Sequence, residues 1–187
     1  LLHDQSLYEW GFSLIAEKHP LINEPLIPTY FREFKESHMQ LALNAAKLIQ
    51  KKYPHSPIGP TLQMLVYDAE KQSETYQVAA KDGLVKDPNS PFINLELAGK
   101  ALKNGLHSEA RKYALKVIEQ YNHLDAYLML ADIATQMSQN EQAEKYFQKA
   151  YQLDSTNPKS IVPYTYFKLT HHQIKRAEQL LQSAEYQ

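Results

Sequence analysis

Apolar and polar positions alternate along this chain with a helical period almost throughout. Over Leu124–Ser155, apolar or small residues stand at Tyr127, Leu130, Ala131 and Ala134, then at Ala143, Phe147, Ala150 and Leu153. Each set recurs at three- and four-residue steps, which marks one face of a helix. The polar stretch Met137-Ser-Gln-Asn140 between them is short enough for a tight helix–helix turn. Upstream, Leu7, Trp10, Phe12, Leu14 and Ile15 predict a helix over residues 2–18, ended by His19-Pro20. Pro25 and Pro28 predict an extended or turned stretch. A single long helix is then expected from Thr29 to Lys52, with Phe31, Phe34, Met39, Leu43, Ala46 and Ile49 on one side. Helix pairs follow at 58–71 and 74–85, at 92–103 and 108–120, and at 158–169 and 173–185. Gly105 suits a turn that needs positive φ. Asp125 suits an early-turn or capping acid. Pro163 must lie in a first turn or kink its helix.

Laid over one another, these pairs repeat. Ala42, Tyr76, Ala110, Ala143 and Ala177 are equivalent, at steps of 34, 34, 33 and 34 residues. The order aromatic, Leu, Ala, then Ala, Phe, Ala resembles the tetratricopeptide (TPR) helical hairpin, whose usual period is about 34 residues. That resemblance implies an all-α, right-handed superhelical array of antiparallel helix pairs. The units containing Ala110, Ala143 and Ala177 resemble it well. Earlier ones depart from it: Tyr76 and Met64 stand where small residues are usual, and prolines precede the first unit. The expected division is an irregular helical N-terminal cap over 1–56, then repeats at 57–90, 91–123, 124–157 and 158–187.

Composition narrows the chemistry. Twenty Lys and Arg balance 21 Asp and Glu in 187 residues, so no net field draws the chain to nucleic acid or anionic lipid. The one local basic patch, Lys168 to Arg176 with His171, His172 and Lys175, suits a solvated terminal helix pair. Cysteine is absent, which removes disulfides and thiolate metal sites. No apolar run reaches the roughly 18 residues of a membrane span. The start at Leu1 rather than Met fits a fragment or mature product, with an upstream signal, membrane or lipid anchor left open. With five glycines, neither nucleotide-loop pattern occurs. The histidines form no His-Glu-x-x-His set, and His171-His172 diverge by about 100° on a helix, so no metal is expected. Asp68 with Glu70, and Glu141 with Glu144, are expected to be solvated helix-face charges rather than acid pairs. No serine sits in a Gly-x-Ser-x-Gly setting, so no catalytic residue and no cofactor is implied.

Binding is the stronger expectation. The TPR resemblance implies that first helices line a concave groove, into which a protein or peptide partner docks. Carried over position by position, the groove residues are Phe92, Leu95 and Leu102; Asp125, Leu128 and Asp132; and Lys159, Val162 and Tyr166. The alternative for Phe92, Leu95 and Tyr166 is simple packing against the neighbouring repeat. The chaperone carboxylate-clamp set is matched only by Lys159; Leu95, Gly99, Met129 and Pro163 hold the other places, so that partner is not expected. Lys51-Lys52-Tyr53-Pro54-His55-Ser56-Pro57 is similar to the inter-repeat turn of TPR proteins of the bacterial envelope, which tilts the setting toward the periplasm or envelope. A non-catalytic interaction scaffold is the leading expectation. The alternative is the soluble periplasmic tail of an O-antigen-ligase or pilin-glycosylation-ligase type enzyme. Self-association through a surface rich in tyrosine (13 in all) is also open.

Overall fold

The computed structural model describes residues 25–185, with side chains as far as position 182. The helix expected over 2–18 lies outside the described residues. Among the described residues there are ten α-helices and no strand: α1 (Leu26–Lys35), α2 (Met39–Lys52), α3 (Ile58–Ala69), α4 (Ser73–Lys86), α5 (Pro91–Lys103), α6 (His107–Ile118), α7 (Leu124–Gln136), α8 (Asn140–Leu153), α9 (Pro158–Thr170) and α10 (Ile174–Glu185). They group into two compact units, one through Ile93 and one from Asn94.

The single helix expected over Thr29–Lys52 is two helices. The chain reverses at Glu36-Ser37-His38, where Ser37 takes φ 61°. The Ser37 N–H donates to the Phe34 carbonyl and the His38 N–H to the Glu33 carbonyl at 2.8 Å. These are the two bonds of a Schellman motif, which satisfies carbonyls left over at a helix C-terminus. No glycine or proline marks this turn, so apolar period alone ran through it. The same turn recurs at Lys71 (φ 58°), Gly105 (φ 74°), Ser138 (φ 57°) and His172 (φ 58°), with the same two bonds each time. The intervals are again 34, 34, 33 and 34 residues. Pro28, expected in an extended stretch, is the third residue of α1, where no N–H is required. Pro163 is the sixth residue of α9, past the first turn. It gives Lys159 no i+4 donor, yet the helix continues to Thr170. Asp125 stands in the first turn of α7 and does not cap it.

Five residues after each turn comes the repeat's close-approach position, and all five are buried: Ala42, Ala110 and Ala143 at 0 %, Tyr76 and Ala177 at 1 %. In the second hairpin bulk replaces closeness, with Tyr76 and Met64 both enclosed.

In the first unit, Ile27, Tyr30, Phe31, Leu43, Ala46, Ile49 and Leu62 form one cluster. The Tyr30 hydroxyl donates to the Leu62 carbonyl at 2.7 Å, tying α1 to α3. Gly59 lies against the backbone of Gln50, and an added Cβ would fall 2.7 Å from the Gln50 Cα. That spacing lets α2 and α3 touch.

In the second unit, Phe147 of α8 stacks on Tyr164 of α9 (centroids 5.6 Å, planes 12° apart) and packs on Phe167 at 5.1 Å. Beside them lies a charge. Lys168, on α9, is buried, and its Nζ donates to Glu144 Oε2 at 2.5 Å and to Gln173 Oε1 at 2.7 Å. The Tyr164 hydroxyl donates to Glu144 as well. Glu144 and Lys168 were both expected to be solvated; instead they join α8 to α9. An ammonium so enclosed must be paired, because an isolated buried charge costs too much. Burial raises the Glu144 carboxyl, but the hydrogen bonds from Lys168 and Tyr164 outweigh it and hold the pKa below its usual value. Burial, then the bond to Glu144, pushes Tyr164 up to about 12.

Three outcomes follow from this packing. Gly105→Ala places a Cβ at φ 74° and should cost about 1 kcal/mol, whereas Ser138→Gly should gain a few tenths, read by thermal melts. Ala143→Leu should overpack the third-last and neighbouring helices and cost about 1–3 kcal/mol in denaturant unfolding; an unchanged midpoint refutes the register. Glu144→Gln should cost about 1–3 kcal/mol, and adding Lys168→Met should recover most of that. Because the folded carboxyl is the stronger acid, this stability is present above the unfolded carboxyl's pKa. It is lost as pH falls through the lower folded value. An acid titration of the wild type against the double variant reads it.

Candidate functional site

The nine residues singled out in the sequence separate by exposure. Phe92 (6 %) and Leu95 (7 %) are buried in helix packing. Leu102 is half-buried against Ala101, Ala110 and Ile133. Leu128 is half-buried against the cluster of Ala131, Phe147, Tyr164 and Phe167. Asp125 is half-buried. Asp132 and Lys159 are exposed, as are Val162 (60 %) and Tyr166 (68 %). The exposed members of the set therefore lie on α7 and above all on α9, both in the second unit.

The helical period explains this division on α9. Ile161, Tyr164, Phe167 and Lys168 face inward and are buried; Val162, Tyr166 and Leu169 occupy the other side, at steps of four and three residues. Leu169, 47 % exposed, was not among the expected residues. Its seven-residue spacing from Val162 was the available signal. Asp132 accepts from the amide of Gln136 at 3.2 Å. Asp125 and Lys159 both act on His123, at the N-terminus of α7. Burial lowers the His123 pKa, Asp125 opposes that, and Lys159 lowers it further. Burial thus favours the neutral imidazole of His123.

For metal chemistry the described residues offer one grouping, at the first turn. Ligand atoms of Glu33, Glu36 and His38 lie within 4.8 Å of one another. Glu33 is already engaged, by Arg32 at 2.8 Å and by His38 Nδ1 at 3.0 Å, and these two bonds lower its pKa. The set reads as a turn network. His171 and His172 end α9: His171 Nδ1 lies 2.8 Å from the Phe167 carbonyl and its ring rests on Phe167 at 4.2 Å, while His172 supplies the positive-φ turn. No helix among the described residues is long and apolar enough to cross a membrane.

Residues 124–157 match the family model for the tetratricopeptide repeat. Three solved structures share the fold. PilF of Pseudomonas aeruginosa is 15 % identical, with a TM-score of 0.72 over 86 % of this chain and 73 % of that one. PilW, described as a widely conserved type IV pilus biogenesis factor, is 14 % identical, with a TM-score of 0.69 over 89 % and 78 %. MamA from Desulfovibrio magneticus RS-1 is 16 % identical, with a TM-score of 0.65 over 86 % and 91 %. No curated protein matches the chain. With the ten helices of the described residues paired through five equivalent turns, this chain has the all-α helical-repeat fold of the tetratricopeptide type, and resembles bacterial TPR proteins.

Proposed function

We propose that this chain is a non-catalytic docking module, which holds a segment of a partner protein against the outward face of α7 and α9. The observation that carries this is the exposure of Tyr166 (68 %) and Val162 (60 %) beside an otherwise enclosed aromatic core. Monomeric surfaces hold isolated apolar residues routinely, but an aromatic, a β-branched residue and Leu169 in helical register form a stripe. The stripe rides on a helix fixed by Phe147 stacking and by the Lys168–Glu144 pair, so little ordering is required when a partner arrives. Tyrosine supplies wide contact area at low rotamer cost, which suits it as an anchor. Lys159, exposed one turn before Val162 on the same helix, adds a charge that fixes orientation more than affinity.

Within this proposal the chain divides into a cap over 1–56, whose described part is α1 and α2, and repeats at 57–90, 91–123, 124–157 and 158–187. An envelope setting belongs to it too, supported by the Lys51–Pro57 turn and by likeness to pilus-biogenesis TPR proteins. The other assignment, a soluble tail of a membrane glycan-transfer enzyme, draws no support from the structures named above.

The direct test uses Val162→Ser with Tyr166→Ala, since Leu128 is partly core. Both residues are exposed, so the far-UV circular dichroism and melting point should stay within error. Capture of a specific partner from source-cell lysate should fall at least about tenfold. Undiminished capture by a folded double variant would contradict the assignment of this face.

A further inference from the structure

One of the five hairpin turns differs from the others in its chemistry. The residue ahead of each positive-φ position is Glu36, Glu70, Asn104, Met137 or His171, and the positive-φ residue is Ser37, Lys71, Gly105, Ser138 or His172. Only the third turn sets a carboxamide directly before a residue without a Cβ, and the sequence holds no other Asn-Gly pair. Both residues are exposed, and nothing lies within 4 Å of where a Gly105 Cβ would stand. The Asn104 side chain makes no hydrogen bond among the described residues. The backbone beside it is held: the Gly105 N–H donates to the Leu102 carbonyl at 2.9 Å.

We propose that Asn104 is a site of covalent self-modification, deamidating through the Gly105 nitrogen at a rate set by opening of this turn. The step needs only water. The Gly105 nitrogen gives up its proton to solvent and bonds to the Asn104 side-chain carbonyl carbon; the carbon–nitrogen bond of the carboxamide breaks, and the amide nitrogen leaves as ammonia. Water then opens the five-membered imide at either carbonyl. One opening gives aspartate. The other gives isoaspartate, in which the backbone runs through the former side chain and is longer by a carbon. Gly105 leaves its nitrogen unshielded, whereas Ser, Lys or His at the other turns would crowd it. While the turn is closed, that nitrogen's proton is committed to Leu102, so the reaction waits on local opening.

The position gives the product a structural consequence. The turn sets where α6 begins, and Ala110 reaches its enclosed place five residues after Gly105. A longer backbone just ahead of Gly105 spoils that spacing and loosens the cluster of Ala101, Ala110 and Ile133. The new carboxylate also stands at the C-terminal end of α5, the unfavourable end of a helix for a negative charge.

The test incubates the whole chain beside a synthetic peptide of residues 98–111 at mildly alkaline pH. Position 104 is followed by mass spectrometry that separates aspartate from isoaspartate. Both should convert to a mixture of the two acids, the chain at least about fivefold more slowly than the peptide because its turn is mostly closed. Gly105→Ala should slow the reaction sharply in chain and peptide alike, although it strains the turn and favours opening. The isoaspartyl chain, isolated by ion exchange, should melt below the Asn104→Asp variant, which gains the charge without the longer backbone. An intact Asn104 in the chain after the peptide is consumed overturns the inference, and conversion at the peptide's rate overturns the gating. Faster reaction in Gly105→Ala, or aspartate with no isoaspartate, would contradict the route through this nitrogen. Equal melting of the isoaspartyl chain and Asn104→Asp would contradict the loss of spacing at the turn.

Discussion

The positive-φ turn is the constraint on which this molecule depends. Each hairpin reverses through one left-handed residue, and the paired bonds around it fix where the second helix begins. Five residues later the close-approach side chain is carried inward, whether it is Ala42, Ala110, Ala143 or Ala177. A slip of one residue at the turn would rotate that face by about 100° and bring polar residues inward. Four of the five turns use Ser, Lys or His where glycine would be less strained. The backbone geometry is therefore held by the packing of the helices on both sides.

Between hairpins of the second unit, the contact changes from small residues to aromatic ones. Phe147, Tyr164 and Phe167 fill the space, and the Lys168–Glu144 pair is set at their edge. A buried pair of this kind adds little net stability over an apolar filling, but it punishes loss of either partner. It also makes the seat of α9 specific: Tyr164, Lys168 and Gln173 converge on one carboxylate or its ammonium. The outward residues of α9 inherit that rigidity.

Much of this was legible in the sequence. The period of about 34 residues, the small positions and most helix limits follow from spacing alone, because those signals are local and repeat. The break at Ser37 was hidden, since a serine in the left-handed region leaves no mark comparable to Gly105. It could have been found by counting back from Lys71. The inward turn of Lys168 was equally hidden: a lysine reads as solvent-facing unless its partner, 24 residues away, is known. Groove positions carried over by register placed Val162 and Tyr166 on the surface but could not tell that Phe92 and Leu95 are enclosed. Burial depends on neighbours that spacing does not supply.

In the proposed docking role, the outward face of α9 offers exposed apolar area on a fixed backbone. The most direct measurement places a photo-crosslinking amino acid at position 166 and, separately, at the equally exposed Val78 (70 %), in cells of the source organism. A discrete protein adduct from position 166 alone is the expected result. Adducts from Val78 alone, or the same adducts from both, would contradict the claim that the outward face of α9 receives the partner.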